Sequence, residues 1–454
     1  MSRVSYAKAH TIANISSISD RVIRLALPAI AQLLLQSLVF LLDRIMLGHY
    51  STAALASMRM SSPLHWCLFS TLSAASVGAI AAIGRAVGGK NPTLARAIVR
   101  SCCLFSVILG IAIAFISWFA IDDLLGLFPF GSPALERMAK GYLRIVLSAM
   151  PLELAAIMAA ALLQGSGNTK TPFFVGAIAN GVNFGLNYCL IFGHFGFPEL
   201  GVRGAAIGTA VAIGINAIVL GLILYRGMNG ISLRGRGGEL VALGSVLRLS
   251  IPVFSERIFR SLGYLGFTAI LTTLGEVPIA TYDVTESIEL IQYQIAEGFG
   301  IATAAIVSQQ LGAKSPQTAA IGAKVATGLA IAAIGVGSVM FLLMPQSILE
   351  IFSNDPEIIA AGVPCLVVVA IAQPFMATSI VLEQLLRGAG DTRTAFYISL
   401  AGWLVVRMIA TSMFVFLFDF GVIGVWMGST CDWIVRCTLL LFVCFRGRWQ
   451  KIAI

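Results

Sequence analysis

Charge is scarce in this sequence. Only 11% of its 454 residues are Asp, Glu, Lys or Arg, while 58% are hydrophobic and the mean hydropathy is +0.91. A soluble domain carries about 25% charged residues, and a single water-facing core does not hide this much apolar sequence. Histidine is scarce too. His10, His49, His65 and His194 are scattered, no cysteine stands at metal-ligand spacing from any of them, and no serine sits in a nucleophile elbow. The chain therefore reads as a protein that is not an enzyme. The glycines of GSG at 165–167 and GAG at 388–390 lack the following Lys-Ser/Thr of a phosphate-binding loop, and no strand precedes them. That argues against nucleotide cofactors and leaves an ion gradient as the energy source. The eight cysteines lie in apolar runs and are expected to pack rather than pair. The net charge of +9 sits mostly in short loops, without the basic-plus-aromatic patch of a nucleic-acid groove.

Long apolar runs are what the chain does have. Twelve stretches can be marked at 22–47, 57–84, 96–119, 136–163, 172–194, 203–226, 246–273, 278–310, 317–343, 358–386, 394–418 and 422–445. Each is long enough for a bilayer core, which asks for about 20 residues. In lipid every backbone group must bond within its own segment, so the stretches are helices. Pro28, Pro151, Pro252 and Pro374 do not count against helix there. Basic residues such as Arg85, Lys90, Arg96, Lys170, Arg234 and Lys314 alternate with acidic loops that carry Asp122, Asp123, Glu276, Asp355 and Asp419. By the positive-inside rule both termini are cytoplasmic. The polar first twenty residues lack a cleavable signal, so the first stretch is expected to insert itself. The expected location is a plasma or bacterial inner membrane.

The sequence repeats itself. LALPAIAQ (25–32) resembles LSIPVFSE (249–256), GGKNP (88–92) resembles GAKSP (312–316), and LLQGSGNTKT (162–171) resembles LLRGAGDTRT (385–394), at offsets of 223 to 224 residues. Six helices per half is an even number, so both halves insert in one orientation. The predicted architecture is all-α, with twelve transmembrane helices in two six-helix bundles. A parallel pseudo-two-fold relates the bundles, and the substrate route runs between the halves. The expected divisions are 1–226, a cytoplasmic linker at 227–245 that contains Arg234, Arg236 and Glu239, and 246–454.

Ionisable residues inside such segments cost roughly 2.5–3.5 kcal/mol at a helix centre and are functional candidates by default. Asp43 lies near the outer end of the first stretch, which also carries Gln36. Glu256, Arg260 and Tyr264 share one face of the seventh at i, i+4, i+8. Glu256 is either a coupling carboxylate or the intrahelical partner of Arg260. In the eighth, Asp283, Glu286, Glu289, Tyr293 and Glu297 fall within about a 120° arc. That stripe must line a wet cavity or meet cations such as Arg257, Arg260, Arg407 or Arg436. Asn180, Asn183 and Asn187 lie in the fifth stretch, where amides bind ligands or bond helices together. Asp432 and Arg436 read as a structural i, i+4 pair, and Glu383, near the cytoplasmic end of its helix, either snorkels to the interface or pairs with Arg387.

Several of these segments also resemble one family. LPAIAQLLLQSLVFLLDRIMLGHYSTAALAS (27–57), the run 162–206, IVSQQLGAK (306–314), LLRGAGDTRT (385–394) and GVIGVWMG (421–428) are similar, in this order, to the multidrug and toxic compound extrusion (MATE) transporters. The resemblance implies a V-shaped, two-lobed monomer that exports amphipathic, often cationic, molecules against protons or sodium. It implies that Asp43 is the functional carboxylate of the first lobe, and that Glu256 matches a cation-site carboxylate of the second lobe in another branch of the family, a candidate sodium site. Two departures stand out. Asn187 replaces the aspartate of an Asn-x-x-x-Asp motif, and a residue such as Met376 replaces an aspartate of the tenth helix. The acidic stripe of the eighth helix is the expected compensation. The alternative is a flippase or exporter of lipid-linked sugars or organic anions, which the excess of carboxylates over arginines disfavours.

Overall fold

The computed structural model describes residues 3–126, 132–235 and 239–452. Arg236 of the expected linker lies outside them. Among the described residues there is no β-strand, only an isolated bridge between Met228 and Ile231.

The described residues form twelve helical spans. They are α1 (Arg3–Tyr50), α2 (Thr52–Leu72 continuing as Ala75–Gly88), α3 (Pro92–Gly126), α4 (Pro133–Ser148 and Met150–Gly165), α5 (Lys170–Phe192) and α6 (Val202–Arg226). The second six are α7 (Glu239–Thr272), α8 (Glu276–Gly312), α9 (Pro316–Leu343), α10 (Pro356–Ala389), α11 (Thr392–Leu417) and α12 (Gly421–Arg446). Ten are individually long and apolar enough to cross a membrane, and α4 qualifies as a pair bent by 51°. The remaining one, α7, is less apolar because it carries Arg248, Glu256, Arg257 and Arg260. Ser51, Ser132, Asp355 and Asp391 cap α2, α4, α10 and α11 by accepting bonds from backbone N–H groups of the first turn, as short polar side chains do.

The repeat in the sequence is a repeat in the backbone. Lys90 and Lys314 both take left-handed conformations, with φ of 52° and 58°. Each is followed by the same closing bond, Asn91 N–H to Ala86 C=O at 3.0 Å and Ser315 N–H to Gln310 C=O at 2.8 Å. Gly167 and Gly390 match in the same way, with φ of 89° and 91°. The two halves also share a close approach. A Cβ on Gly165 would lie 2.9 Å from the Ile80 carbonyl, and one on Gly388 2.6 Å from the Ala304 carbonyl. Only glycine lets α4 meet α2, and α10 meet α8, at that distance.

Contacts divide the chain into two compact units, Ala31–Arg248 on one side and residues up to Ile30 with Leu249–Ile454 on the other. One division falls inside α1, just after Pro28. Val22, Leu25 and Ala26 are buried in a core with Ala296, Phe299 and Ile306, and Arg21 donates to Gln309 at 2.5 Å. In the Ala31–Arg248 unit, cores form around Ile83, Leu162 and Leu163 and around Leu47, Leu143 and Met150.

Two spans depart from uniform helix. α4 breaks at Ala149 beside Pro151, where proline removes a backbone donor. Gly110 of α3 fits against this break, since a Cβ there would lie 2.8 Å from the Pro151 nitrogen. α11 contains two π-helical stretches, Ala401–Val406 and Met413–Leu417, on either side of Arg407–Ser412. Such bulges often mark functional sites in helices.

Candidate functional site

The Ala31–Arg248 unit joins α1, α5 and α6 through a short polar chain. Asn187 and Asn183 are one turn apart on α5 and are 0% and 2% exposed. The Asn187 amide nitrogen donates to Asp43 Oδ1 at 2.7 Å and to Asn183 Oδ1 at 3.3 Å. Asn183 in turn donates to Thr209 Oγ1 of α6 at 3.4 Å. Gly208 makes room for this, because a Cβ there would lie 3.1 Å from the Asn187 side-chain carbon. Asp43 is half-buried and, among the described residues, makes no ion pair. The Asn187 Oδ1 is buried without a hydrogen-bond partner. An uncompensated carboxylate beside a bare amide oxygen can accept a proton or a cation, since buried acceptors are normally satisfied. Asn180 is half-buried and Gln36 is exposed. Among the described residues neither forms a side-chain hydrogen bond with this set.

The second unit answers with charge. Glu256 of α7 is 3% exposed. Its Oε1 accepts from Arg260 at 2.5 Å, from Arg387 of α10 at 3.0 Å and from Ser399 of α11 at 3.0 Å. Its Oε2 accepts from Arg387 at 2.8 Å. Arg387 also pairs with Glu383, one turn earlier. Two carboxylates and two guanidinium groups thus close on each other, and both Glu256 oxygens accept from guanidinium groups. A further pair lies on α12. Arg436 binds Asp432 through two bonds of 2.6 Å. Arg407, held between the π-helical stretches, lies 3.4 Å from Asp432 and bonds to Ser429.

The acidic stripe of α8 splits by environment. Glu297 accepts from Gln384 at 2.6 Å, and Glu286 accepts from Tyr282 at 3.4 Å. Glu289 has a buried Oε1 without a hydrogen-bond partner. Among the described residues Glu286 and Glu289 make no ion pair, so the arginines of α11 and α12 do not neutralise them directly. Asp283 is exposed. Among the described residues, no group of three or more His, Cys, Asp or Glu side chains is arranged to hold a metal ion.

Comparison with known proteins fits this geometry. The MatE family model matches residues 28–189 and again residues 252–413, two copies displaced by the repeat distance. The chain belongs to the MatE family. A probable multidrug resistance protein NorM of Thermotoga maritima is 30% identical over 447 residues, 97% of this chain and 95% of the relative. Probable multidrug resistance protein YoeA of Bacillus subtilis is 24% identical and covers 93% and 92%. Among solved structures, a MOP superfamily transporter from Pyrococcus furiosus superposes with a TM-score of 0.88 at 19% identity, over 96% of this chain and 97% of that one. A MATE structure in the straight conformation gives 0.88 at 20% identity over the same shares. These structures share the fold, twelve helices in two lobes.

Within this MatE chain, the repeat relates polar contacts that sequence reading left unconnected. Gln32 stands 224 residues before Glu256, and Gln164 stands 223 before Arg387. Gln164 donates to Gln32 at 3.3 Å, just as Arg387 donates to Glu256. Likewise Asn183 and Arg407 are 224 apart, and the Asn183–Thr209 bond has its counterpart in Arg407–Ser429, where Thr209 and Ser429 end the similar runs 201–209 and 421–429 at a local offset of 220. One frame carries neutral amides in one unit and ion pairs in the other. A further pair was missed outright: His65 of α2 lies 3.0 Å from Glu153 of α4. Its only sequence signal is that both are ionisable residues in apolar segments.

Proposed function

We propose that this MatE-family protein is a secondary active multidrug efflux antiporter that exports amphipathic organic cations in exchange for protons or sodium by alternating access. The observation that carries the reading is Asp43. It is the carboxylate of the Ala31–Arg248 unit held by an amide rather than by a guanidinium, so its charge is available to a mobile cation. A proton and an organic cation compete for the same carboxylate, and that competition is the chemistry of exchange. Asn187 orients the carboxylate, and Asn183 and Thr209 hold Asn187 in turn. Glu256 has the opposite setting. Its two arginines suit a fixed framework contact better than reversible ion binding. Glu286 and Glu289, free of direct ion pairs, add negative potential that favours cationic substrates. The names of the NorM and YoeA relatives support drug efflux.

The test is efflux of a cationic dye from everted vesicles under separately imposed proton and sodium gradients. Efflux should follow one gradient in the wild type and be lost in Asp43→Asn. Export that ignores both gradients would remove the antiporter reading. Export of organic anions alone would favour the alternative substrate class.

A further inference from the structure

Away from Asp43, the Ala31–Arg248 unit holds a second ionisable pair. His65 Nε2 lies 3.0 Å from Glu153 Oε2, and the two side chains are 15% and 13% exposed. The pair ties α2 to the first turn of the Met150–Gly165 segment of α4, directly after the 51° bend at Ala149. The repeat supplies an internal comparison. The residue 224 positions after His65 is Glu289, and the residue 223 after Glu153 is Met376, so the second unit has no such pair. Its matching proline, Pro374, sits in an unbroken helix from Pro356 to Ala389. Both units carry the proline, but the break occurs only where the histidine–carboxylate pair is present.

We propose that His65 and Glu153 form a second proton-binding site, distinct from Asp43, at which a proton on the imidazole and an organic cation compete for the Glu153 carboxylate. With the proton present, imidazolium and carboxylate cancel and hold α2 against the bent α4. When the proton leaves to water, Glu153 keeps one uncompensated negative charge. Aromatic surface lies beside it. The His65 ring is 6.3 Å from that of Phe69, which is 5.8 Å from Trp66. An amphipathic cation offers both the charge and the apolar body that such a place accepts. Histidine is suited to the role because it changes charge between about pH 5 and 8. The groups facing the pair are few. Tyr142 on the Pro133–Ser148 segment of α4 is in electrostatic reach of both Glu153 and Asp43. Between Arg100 and Asp122, α3 carries only the thiols Cys102 and Cys103, and α6 has no ionisable side chain between Arg203 and Tyr225. On α2 itself the nearest charge is Arg59.

The inference deepens the exchange reading above and rests on it for the identity of the ligand. Its test uses the full-length protein in detergent, with tetraphenylphosphonium as the probe and binding measured from about pH 5.5 to 8.5. The wild type should bind more tightly as pH rises. Glu153→Gln should lose about three- to tenfold in affinity at the alkaline end, and His65→Gln should flatten the acidic limb. The double variant H65Q/E153Q can retain a neutral amide–amide bond and the bend, yet should bind as weakly as Glu153→Gln at the alkaline end and lack the pH response that His65 supplies. Profiles of both single variants that superimpose on the wild type would overturn the proposal. A second readout is independent of transport: the His65 ring resonance, followed by nitrogen-15 NMR. It should titrate differently in Glu153→Gln than in the wild type, and identical titration curves would overturn the site even if dye binding proved absent.

Discussion

Replacing Arg387 by glutamine tests the charged framework of the second unit. Glu256 and Glu383 face Arg260 and Arg387, two charges of each sign, with the Glu256, Glu383 and Arg387 side chains 3%, 8% and 10% exposed. Removing Arg387 leaves one carboxylate in excess. Glu256 keeps Arg260 at 2.5 Å and Ser399 at 3.0 Å, whereas Glu383 loses its ion pair. Breaking a buried pair by removing one member costs about 3–5 kcal/mol. At roughly 2–4 °C per kcal/mol for a unit of this size, the melting temperature should fall by about 6–20 °C. The matching change in the other unit, Gln164→Leu, removes only the neutral 3.3 Å bond to Gln32, about 1 kcal/mol. Glu383→Gln added to Arg387→Gln restores the charge balance and should recover more than half of the loss. Thermal unfolding in detergent, followed with a thiol-reactive dye, reads this directly, because Cys365 and Cys437 are buried in the same unit. An Arg387→Gln protein that melts within about 2 °C of the wild type, less than 1 kcal/mol on that scale, would refute the reasoning. So would a double variant no more stable than the single one.

Three further outcomes are expected. Asn187→Ala strips the amide from Asp43 and should lower gradient-driven efflux by about tenfold or more, roughly 1.4 kcal/mol of positioning, while the buried bonds lost to Asp43 and Asn183 cost about 1–3 kcal/mol of stability. Gly165→Ala and Gly388→Ala each push a methyl group against a backbone carbonyl at 2.9 and 2.6 Å and should each destabilise by about 1–3 kcal/mol, measured by the same unfolding assay. Glu286→Gln combined with Glu289→Gln should reduce efflux of a cationic dye in vesicles. Full proton-coupled efflux in that variant would remove the α8 stripe from the mechanism.

The spans of the twelve helices were legible in the sequence because lipid imposes one rule on all of them: about 20 apolar residues with internally bonded backbone. The repeat was legible because turn residues such as Lys90 and Lys314 must take the same left-handed conformation twice. Asn183, Asn187 and Asp43 could be singled out as polar residues in apolar helices, but only the fold brings α1 and α5 together, 144 residues apart along the chain. The surroundings of Glu256 divide in the same way. Arg260 is visible one turn away, whereas Arg387 and Ser399 lie 131 and 143 residues further on. The break at Ala149 was not legible, since Pro151 and Pro374 look alike and only one interrupts its helix. Nor were the π-helical stretches of α11, where no proline or glycine pair announces them and packing around Arg407, Ser429 and Asp432 decides. Gly402 belongs to that packing, since a Cβ there would lie 2.6 Å from the Arg436 Cδ.

If Asp43 exchanges a mobile cation for substrate, movement of dye and of coupling ion must be linked through this one carboxylate. Purified protein in liposomes, with a pH indicator and a sodium indicator trapped inside, tests it most directly when a cationic dye is added outside. Entry of dye through the wild-type protein should drive protons or sodium the other way, and Asp43→Asn should abolish that counter-movement. Equal dye transport by both proteins, with neither indicator changing, would contradict the account.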